Sequence, residues 1–247
     1  MLVDTHCHIN SLTAAVRSTV IEACQSGFLL IDSSINIATS KESVALSSSN
    51  PAIYSALGFH PFSAKEYTPD IFDAYRALIT KKTVAIGEIG LDETAGIAQE
   101  LQEKIFREFL AFAKTLGLPV MLHNRIQGER MLEILDEFYA SYDKVIFHCY
   151  SYDTGMLRTI VERHGFVSFS LNILRKKPAI MRSLAQCPAE SLLLETDSPY
   201  MKIDGRATLP MDIKEVYRCA AAVRGVAQAE LEALVLNNTQ RAFSISL

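Results

Sequence analysis

The chain has 247 residues, 49% of them hydrophobic and 21% charged, with a formal net charge of −4. Its composition excludes a disordered or low-complexity polypeptide, and its length suits one large domain over 1–247, a size that α/β barrels reach as a unit. The acidic balance argues against gripping nucleic acid through a broad basic surface. A nucleic-acid substrate stays open, because bound divalent cations can supply positive charge at the site itself. Five scattered cysteines without a CxxC pair fit reduced thiols. With no basic and apolar leader and no 18-residue apolar run, the sequence reads as soluble and cytoplasmic, with no membrane contact.

Leu2-Val3-Asp4-Thr5-His6-Cys7-His8 opens the chain as a short apolar strand carrying two histidines at i and i+2. In an extended strand these face one way and Cys7 the other. A helix follows over Thr13–Ser26, stopped by Gly27, then an apolar strand at Phe28–Ile31. The pattern repeats along the chain. Helical spacing marks Lys41–Ser49, Pro69–Thr80, Gln99–Leu116, Gln127–Tyr139, Thr154–Arg163 and Pro178–Gln186. Strand-length apolar runs mark Ile53–Leu57, Val84–Ile86, Pro119–His123, Val145–His148, Phe166–Phe169 and Leu192–Asp197. Two helices, Met211–Val223 and Ala229–Leu236, finish the chain. Eight strands alternating with helices predict a parallel sheet, and at this length a closed (β/α)8 TIM barrel. An open doubly wound sheet is disfavoured because it need not bring residues of the first and last strands together.

Six places share one grammar, an apolar strand ending in a ligand-type residue: His6/His8, His60, Glu88, His123, His148 and Asp197. From His6 onward they are spaced 54, 28, 35, 25 and 49 residues apart. With roughly 30 residues per strand–helix unit, these are two, one, one, one and two units, or eight strands. The same count follows from the apolar runs. All six places then lie at the carboxyl ends of strands, where barrel active sites sit. Any one of them alone is better explained as a buried histidine, a paired carboxylate or a turn cap; together they indicate a site. Imidazole and carboxylate without thiolate suit Zn²⁺, Mn²⁺ or Fe²⁺ and, less well, Mg²⁺. The set is large enough for two divalent ions roughly 3.5–4 Å apart, bridged by Glu88, with Asp197 accepting a proton from an attacking water. Cys7 and Cys149, flanking histidines, are read as packing on the opposite strand face. No G-x-S-x-G turn and no phosphate-binding glycine fingerprint is present.

The ordered series D-T-H-C-H (4–8), G-F-H-P (58–61), G-E-I-G-L-D (87–92), P-V-M-L-H-N-R (119–125), F-H-C-Y-S (147–151), L-E-T-D-S-P-Y (194–200) and N-N-T-Q-R-A-F (237–243) resembles the TatD family of metal-dependent hydrolases. The resemblance spans essentially the whole chain. It implies an amidohydrolase-like barrel in which His6, His8, Glu88 and Asp197 hold one divalent ion, and Glu88, His123 and His148 a second. His60 and Arg125 would face the substrate phosphate. It also implies 3′-5′ exonucleolytic cleavage of DNA, commonly with Mg²⁺ or Mn²⁺. The chain departs from the family pattern at Asn124, at Tyr152 where a glycine is usual, and in a short 201–210 segment with only Lys202 and Arg206 as cations.

Those departures keep a second reading open, in which the same metal barrel hydrolyses an ester or amide such as a D-aminoacyl-tRNA or a small lactone. A non-catalytic binding module would be expected to lack a ligand, and none is lacking. Arg175-Lys176-Lys177, with Arg125 and Arg130, could form a basic strip beside the site that would favour DNA; as a bare charge run it is more simply a solvated face.

Overall fold

A computed structural model describes residues 1–246. The eight apolar runs become β1 (Leu2–Cys7), β2 (Phe28–Ser33), β3 (Ile53–Leu57), β4 (Thr83–Asp92), β5 (Val120–Arg125), β6 (Val145–Phe147), β7 (Phe166–Phe169) and β8 (Leu192–Leu194). They form one parallel sheet in the order β1 to β8, a (β/α)8 barrel. Strands sandwiched between a barrel interior and a helical ring are buried on both faces, so they read as continuous apolar runs rather than alternating ones. The helices between them are α1 (Ala14–Cys24), α2 (Ile37–Ser49), α3 (Ile71–Leu78), α4 (Gln99–Leu116), α5 (Arg130–Asp136), α6 (Thr154–Glu162) and α7 (Pro178–Gln186); α8 (Ile213–Arg224) and α9 (Gln228–Phe243) follow β8. No helix among the described residues is long and apolar enough to cross a membrane.

Helix α4 has the bounds its periodicity predicts. It buries Ile105, Phe106, Phe109, Leu110 and Phe112, and it ends at Gly117 with φ +68°, the left-handed cap that glycine adopts without strain. Two helices run past their expected ends, each for a polar reason. Asn36 caps α2 by accepting from Thr39 N at 3.0 Å, and the turn that follows faces the sheet through hydroxyls: Ser40 Oγ lies 2.9 Å from Ser34 Oγ, and Ser43 Oγ donates to Asp32 O at 2.9 Å. Such a face carries no apolar period. Helix α9 continues through Asn237–Phe243 because buried Asn238 donates to Ala189 O (2.6 Å) and Leu192 O (2.9 Å), tying the helix to the entry of β8. The 201–210 segment, to which the sequence pattern assigns no element, carries a two-stranded ribbon, β9 (Lys202–Ile203) with β10 (Arg206–Ala207).

Closure joins the first strand to the segment after the last. Asp197 N donates to His6 O at 2.9 Å and His8 N to Ser198 O at 2.8 Å. Between them, buried Asp4 accepts from Thr196 N at 2.9 Å and from Thr196 Oγ1 at 2.6 Å. Thr196 Oγ1 in turn accepts from Ser198 N at 3.1 Å. Removing that hydroxyl leaves a buried carboxylate oxygen and a buried amide without partners, which costs about 2–3 kcal/mol. Thr196→Val, nearly isosteric, is therefore expected to lower the unfolding free energy by that amount, moving the urea midpoint down while the slope of the transition is unchanged; equilibrium unfolding followed by circular dichroism checks it.

Candidate metal centre

Each strand end delivers its histidines with the rings set by local partners. His8 Nδ1 donates to Ser33 O at 2.9 Å, which leaves its Nε2 as a free acceptor facing His6 Nε2, 3.0 Å away. Ser33 Oγ also lies 3.1 Å from His6 Nδ1. One residue at the end of β2 thus orients both rings of β1. From these two Nε2 atoms, Glu88 Oε2 is 3.6 and 3.7 Å away, and Asp197 Oδ1 3.7 and 3.6 Å. Four donors placed tetrahedrally around an ion at ~2.1 Å lie about 3.4 Å from one another. The observed separations, 3.0 to 3.7 Å, bracket that figure, so His6, His8 and Glu88 are placed to hold one small divalent ion, with Asp197 Oδ1 beside both Nε2 atoms.

The other oxygen of Glu88 faces a second group. Oε1 lies 2.5 Å from His123 Nδ1 and 2.7 Å from His148 Nε2. Both ring nitrogens of His148 are buried and without a hydrogen-bond partner, although Glu195 Oε1 stands 3.4 Å from its Nδ1. An unpartnered buried imidazole nitrogen beside a carboxylate fits a coordinating role better than a hydrogen-bonding one. His123 presents Nδ1 inward because its Nε2 bonds Asp92 Oδ2 at 2.8 Å. Two backbone approaches make this crowding possible. A Cβ on Gly58 would sit 2.0 Å from Glu88 N, and one on Gly90, at φ +148°, 1.9 Å from His123 O.

The electrostatics give Glu88 and His6 the protonation states that ligands need. Burial acts to lower His148 and His8, but Glu88 and Glu195 raise the first well above its ordinary value, and Asp197 and Glu88 raise the second. Burial pushes the Glu88 carboxyl upward, but the surrounding His148, His60 and His123 together hold it well below its ordinary value, so it is anionic. Burial, reinforced by His148, drives His6 well down, so it stays neutral. His60 accepts from Phe62 N through Nδ1 at 3.1 Å, which puts its proton on Nε2, 3.7 Å from Glu88 Oε1. Burial brings His60 down to about 4.

All the residues picked out in the sequence meet here. His8, His60, Glu88, His123, Arg125, His148 and Asp197 line one cavity of ≈ 360 Å³, and His6 Nε2 adjoins it beside His8. Asp197 adopts φ +57°, a left-handed conformation that aspartate tolerates better than most residues. Cys7 is packing, as expected, with its Sγ 3.5 Å from Ile31 O. Cys149 differs. It lies beyond β6 at φ +46°, where strand alternation no longer sets its direction, and its Sγ rests 3.1 Å from Ser170 Oγ. Arg130 leaves the supposed basic strip, because Glu103 and Glu133 take its guanidinium. Sequence reasoning does not single out Asp92, Glu195, Ser33 or Asp4. Asp92 and Glu195 carry a usable signal, being carboxylates within or just past otherwise apolar strands.

A family model described as TatD related DNase matches residues 3–244. The chain belongs to the TatD-related DNase family. It is 26% identical over the full length of both chains to an uncharacterized metal-dependent hydrolase, YabD, of Bacillus subtilis. It is 29% identical over 85% of each chain to the 3′-5′ ssDNA/RNA exonuclease TatD of Salmonella typhimurium. Among solved structures, the TatD homologue YjjV of Escherichia coli superposes with a TM-score of 0.88 at 25% identity, covering 99% of this chain and 98% of that one. The phosphotriesterase homology protein of E. coli shares the fold, with a TM-score of 0.71 at 13% identity over 98% of each chain. This TatD-family chain is accordingly a metal-dependent hydrolase, and its cluster of buried histidines and carboxylates is able to hold metal.

The position of His60 has a measurable consequence. A histidine held at about 4 when folded and near 6.5 when unfolded binds fewer protons folded than unfolded across that interval. Stability therefore falls as pH drops from 6.5 toward 4. The contribution is about 3 kcal/mol. In metal-free protein, His60→Gln is expected to flatten the stability–pH curve over that window, as read from urea midpoints at pH 7, 5.5 and 4.5.

Proposed function

We propose that the chain is a two-metal phosphodiesterase that removes nucleotides from the 3′ end of single-stranded nucleic acid. One observation carries this reading. The cavity above Glu88 is walled by two phosphate-type donors, His60 and Arg125, and edged by two aromatic rings, Phe62 and Tyr200. These rings are 58% and 56% exposed, among the few large hydrophobic side chains left open to solvent. Phe62 stands edge-on to His60 with ring centres 4.8 Å apart, and Tyr200 edge-on to His8 at 4.7 Å. Exposed aromatics beside a phosphate site offer stacking faces to unpaired bases, a contact that duplex DNA does not present. The Salmonella relative named as an ssDNA/RNA exonuclease is consistent with this.

His6, His8, Glu88 and Asp197 would hold one divalent ion and Glu88, His123 and His148 the other, Mg²⁺, Mn²⁺ or Zn²⁺ by donor type. When bound, such a pair supplies a nucleophilic water at neutral pH and neutralises charge growing on the phosphate. The chain's own groups do the rest. Glu88 gives one oxygen to each donor group and so fixes their separation. Asp197 lines the cavity with its Oδ1 beside both Nε2 atoms, and its other carboxylate oxygen takes the proton lost by the attacking water. His60 Nε2–H, neutral with its tautomer set by Phe62 N, donates to a non-bridging phosphate oxygen. Arg125 donates to Ser151 Oγ at 3.0 Å and to Cys149 O at 3.3 Å, which holds its guanidinium in the wall as a second phosphate donor. Asp92 keeps His123 Nδ1 turned inward, and Glu195 faces His148 Nδ1, as outer partners of ligating imidazoles do.

After chelation and addition of Mg²⁺ or Mn²⁺, the protein is expected to release mononucleotides from a 3′-labelled single strand, and to release them more slowly from duplex of the same sequence. Failure to exceed a Glu88→Ala control on DNA, with turnover of a carboxylic ester or lactone instead, would move the substrate to the alternative reading. Asp197→Asn is expected to lower kcat about a hundredfold with a urea midpoint close to wild type. Wild-type turnover in that variant would remove Asp197 as proton acceptor.

A further inference from the structure

A second cavity of ≈ 220 Å³ adjoins the first and shares Arg125 with it. Its other walls include Ser151, Asn172, Arg175 and Lys177. Three cations therefore border one small hollow in a protein of net charge −4. None of the three has a carboxylate in ion-pair range among the described residues. By contrast, Arg107, Arg130, Arg163, Arg206 and Arg218 are each paired with one. Local backbone chemistry selects which cations arrive. The turn Leu171–Arg175 ends on Lys176 at φ +50°, and Pro178 then starts α7. Arg175 and Lys177, on either side of that left-handed residue, line the cavity.

Asn172 supplies an independent sign of a ligand. Its side chain is 5% exposed, its Nδ2 donates to Tyr150 O at 3.2 Å, and its Oδ1 has no partner. Because Tyr150 O can only accept, the amide cannot be flipped to hide this oxygen. A buried acceptor without a partner, on a residue lining a cavity that three cations also line, suits a ligand that is anionic and also carries a hydroxyl or amine donor. A nucleotide unit has both, in its phosphate and in its sugar or base.

We propose that this cavity is a subsite for the phosphate that flanks the scissile one in a polynucleotide, with Arg125 standing between the two. The proposal rests on the nuclease reading above and deepens it. The enzyme grips a strand of at least two phosphates, and selects it over an isolated phosphodiester, through Arg175 and Lys177.

The test uses the full chain. Binding of a fluorescein-labelled octathymidylate to chelated, metal-free protein is followed by anisotropy at several salt concentrations, for wild type, R175Q/K177Q and a surface control, R158Q. The double variant is expected to bind about tenfold more weakly. Its log–log salt slope should be less negative by about 0.7, the share of the one phosphate of a single strand that the subsite no longer neutralises. With Mn²⁺ present, the ratio of kcat/KM for the oligonucleotide to that for bis(p-nitrophenyl) phosphate should fall about tenfold, carried by KM. If R175Q/K177Q keeps the wild-type affinity and slope while wild type degrades the strand, the subsite is refuted and the nuclease reading stands. An equal loss in R158Q also refutes it, since general charge would then explain the effect. If wild type neither binds nor degrades the strand, the nuclease reading falls and the subsite with it.

Discussion

The join between β1 and the segment after β8 is the constraint on which the site depends. His6 and His8 stand at the start of the chain and Asp197 four-fifths of the way along it, so only a closed sheet can make them neighbours. Asp4 performs this closure with a side chain. Its two oxygens take the amide and the hydroxyl of Thr196, and backbone bonds on either side fix the register. Asp4 and Thr196 each sit one or two residues before the donors they position. A slip of one residue at this seam would turn His6 away and leave Asp197 facing the helices, because side chains alternate along a strand. The polar seam thus sets both the barrel and the spacing of the first donor group.

Burying five imidazoles and several carboxylates together is costly unless each polar atom has an assigned direction. The structure meets this by dividing every ring. Outer nitrogens bond Ser33, Asp92 and the backbone of Phe62, that of His148 only faces Glu195 at 3.4 Å, and inner nitrogens converge on Glu88. Since the outer partners fix the tautomers, the converging atoms are preorganised before any ion arrives. Glu88 is the hinge of the arrangement because its two oxygens face both groups. Gly58 and Gly90 matter for the same reason, since any side chain there would push β3 or β5 away from Glu88.

The inward-facing half of this design was legible in the sequence. Histidines and carboxylates ending apolar runs at multiples of about 30 residues report strand ends directly, and the barrel rule places those ends on one face. The outward half was less legible. Asp92 and Glu195 sit in motifs that the sequence displays, but a carboxylate adjacent to a candidate ligand looks like a turn residue until the ring it touches is known. Helix ends were lost where polarity replaced apolar period, in the serine face of α2 and at Asn238 of α9. Cys149 escapes the alternation rule because β6 stops at Phe147, and alternation says nothing past the last extended residue. The basic strip needed three dimensions: Arg130 and Arg175 look alike in the sequence, but one is bound to Glu103 and the other lines an open cavity.

Strand ends and loops carry different parts of the function. Six donor residues, His6, His8, Glu88, His123, His148 and Asp197, lie in strands or within three residues of one, where neighbouring strands hold their backbone. Apart from Arg125 at the end of β5, the groups that would meet a substrate lie in turns: His60 caps and Phe62 lies within the short helical turn after β3, Arg175 and Lys177 flank the left-handed residue after β7, and Tyr200 follows Asp197. Loop backbone can change without disturbing a strand register. Tyr152 and 201–210, two of the places where the sequence departs from the family pattern, fall outside the strands of the barrel, whereas Asn124 lies buried within β5. On the proposed nuclease reading, the reaction class would be set by the barrel, and the length and strandedness of the substrate by a few aromatic and cationic side chains around its mouth.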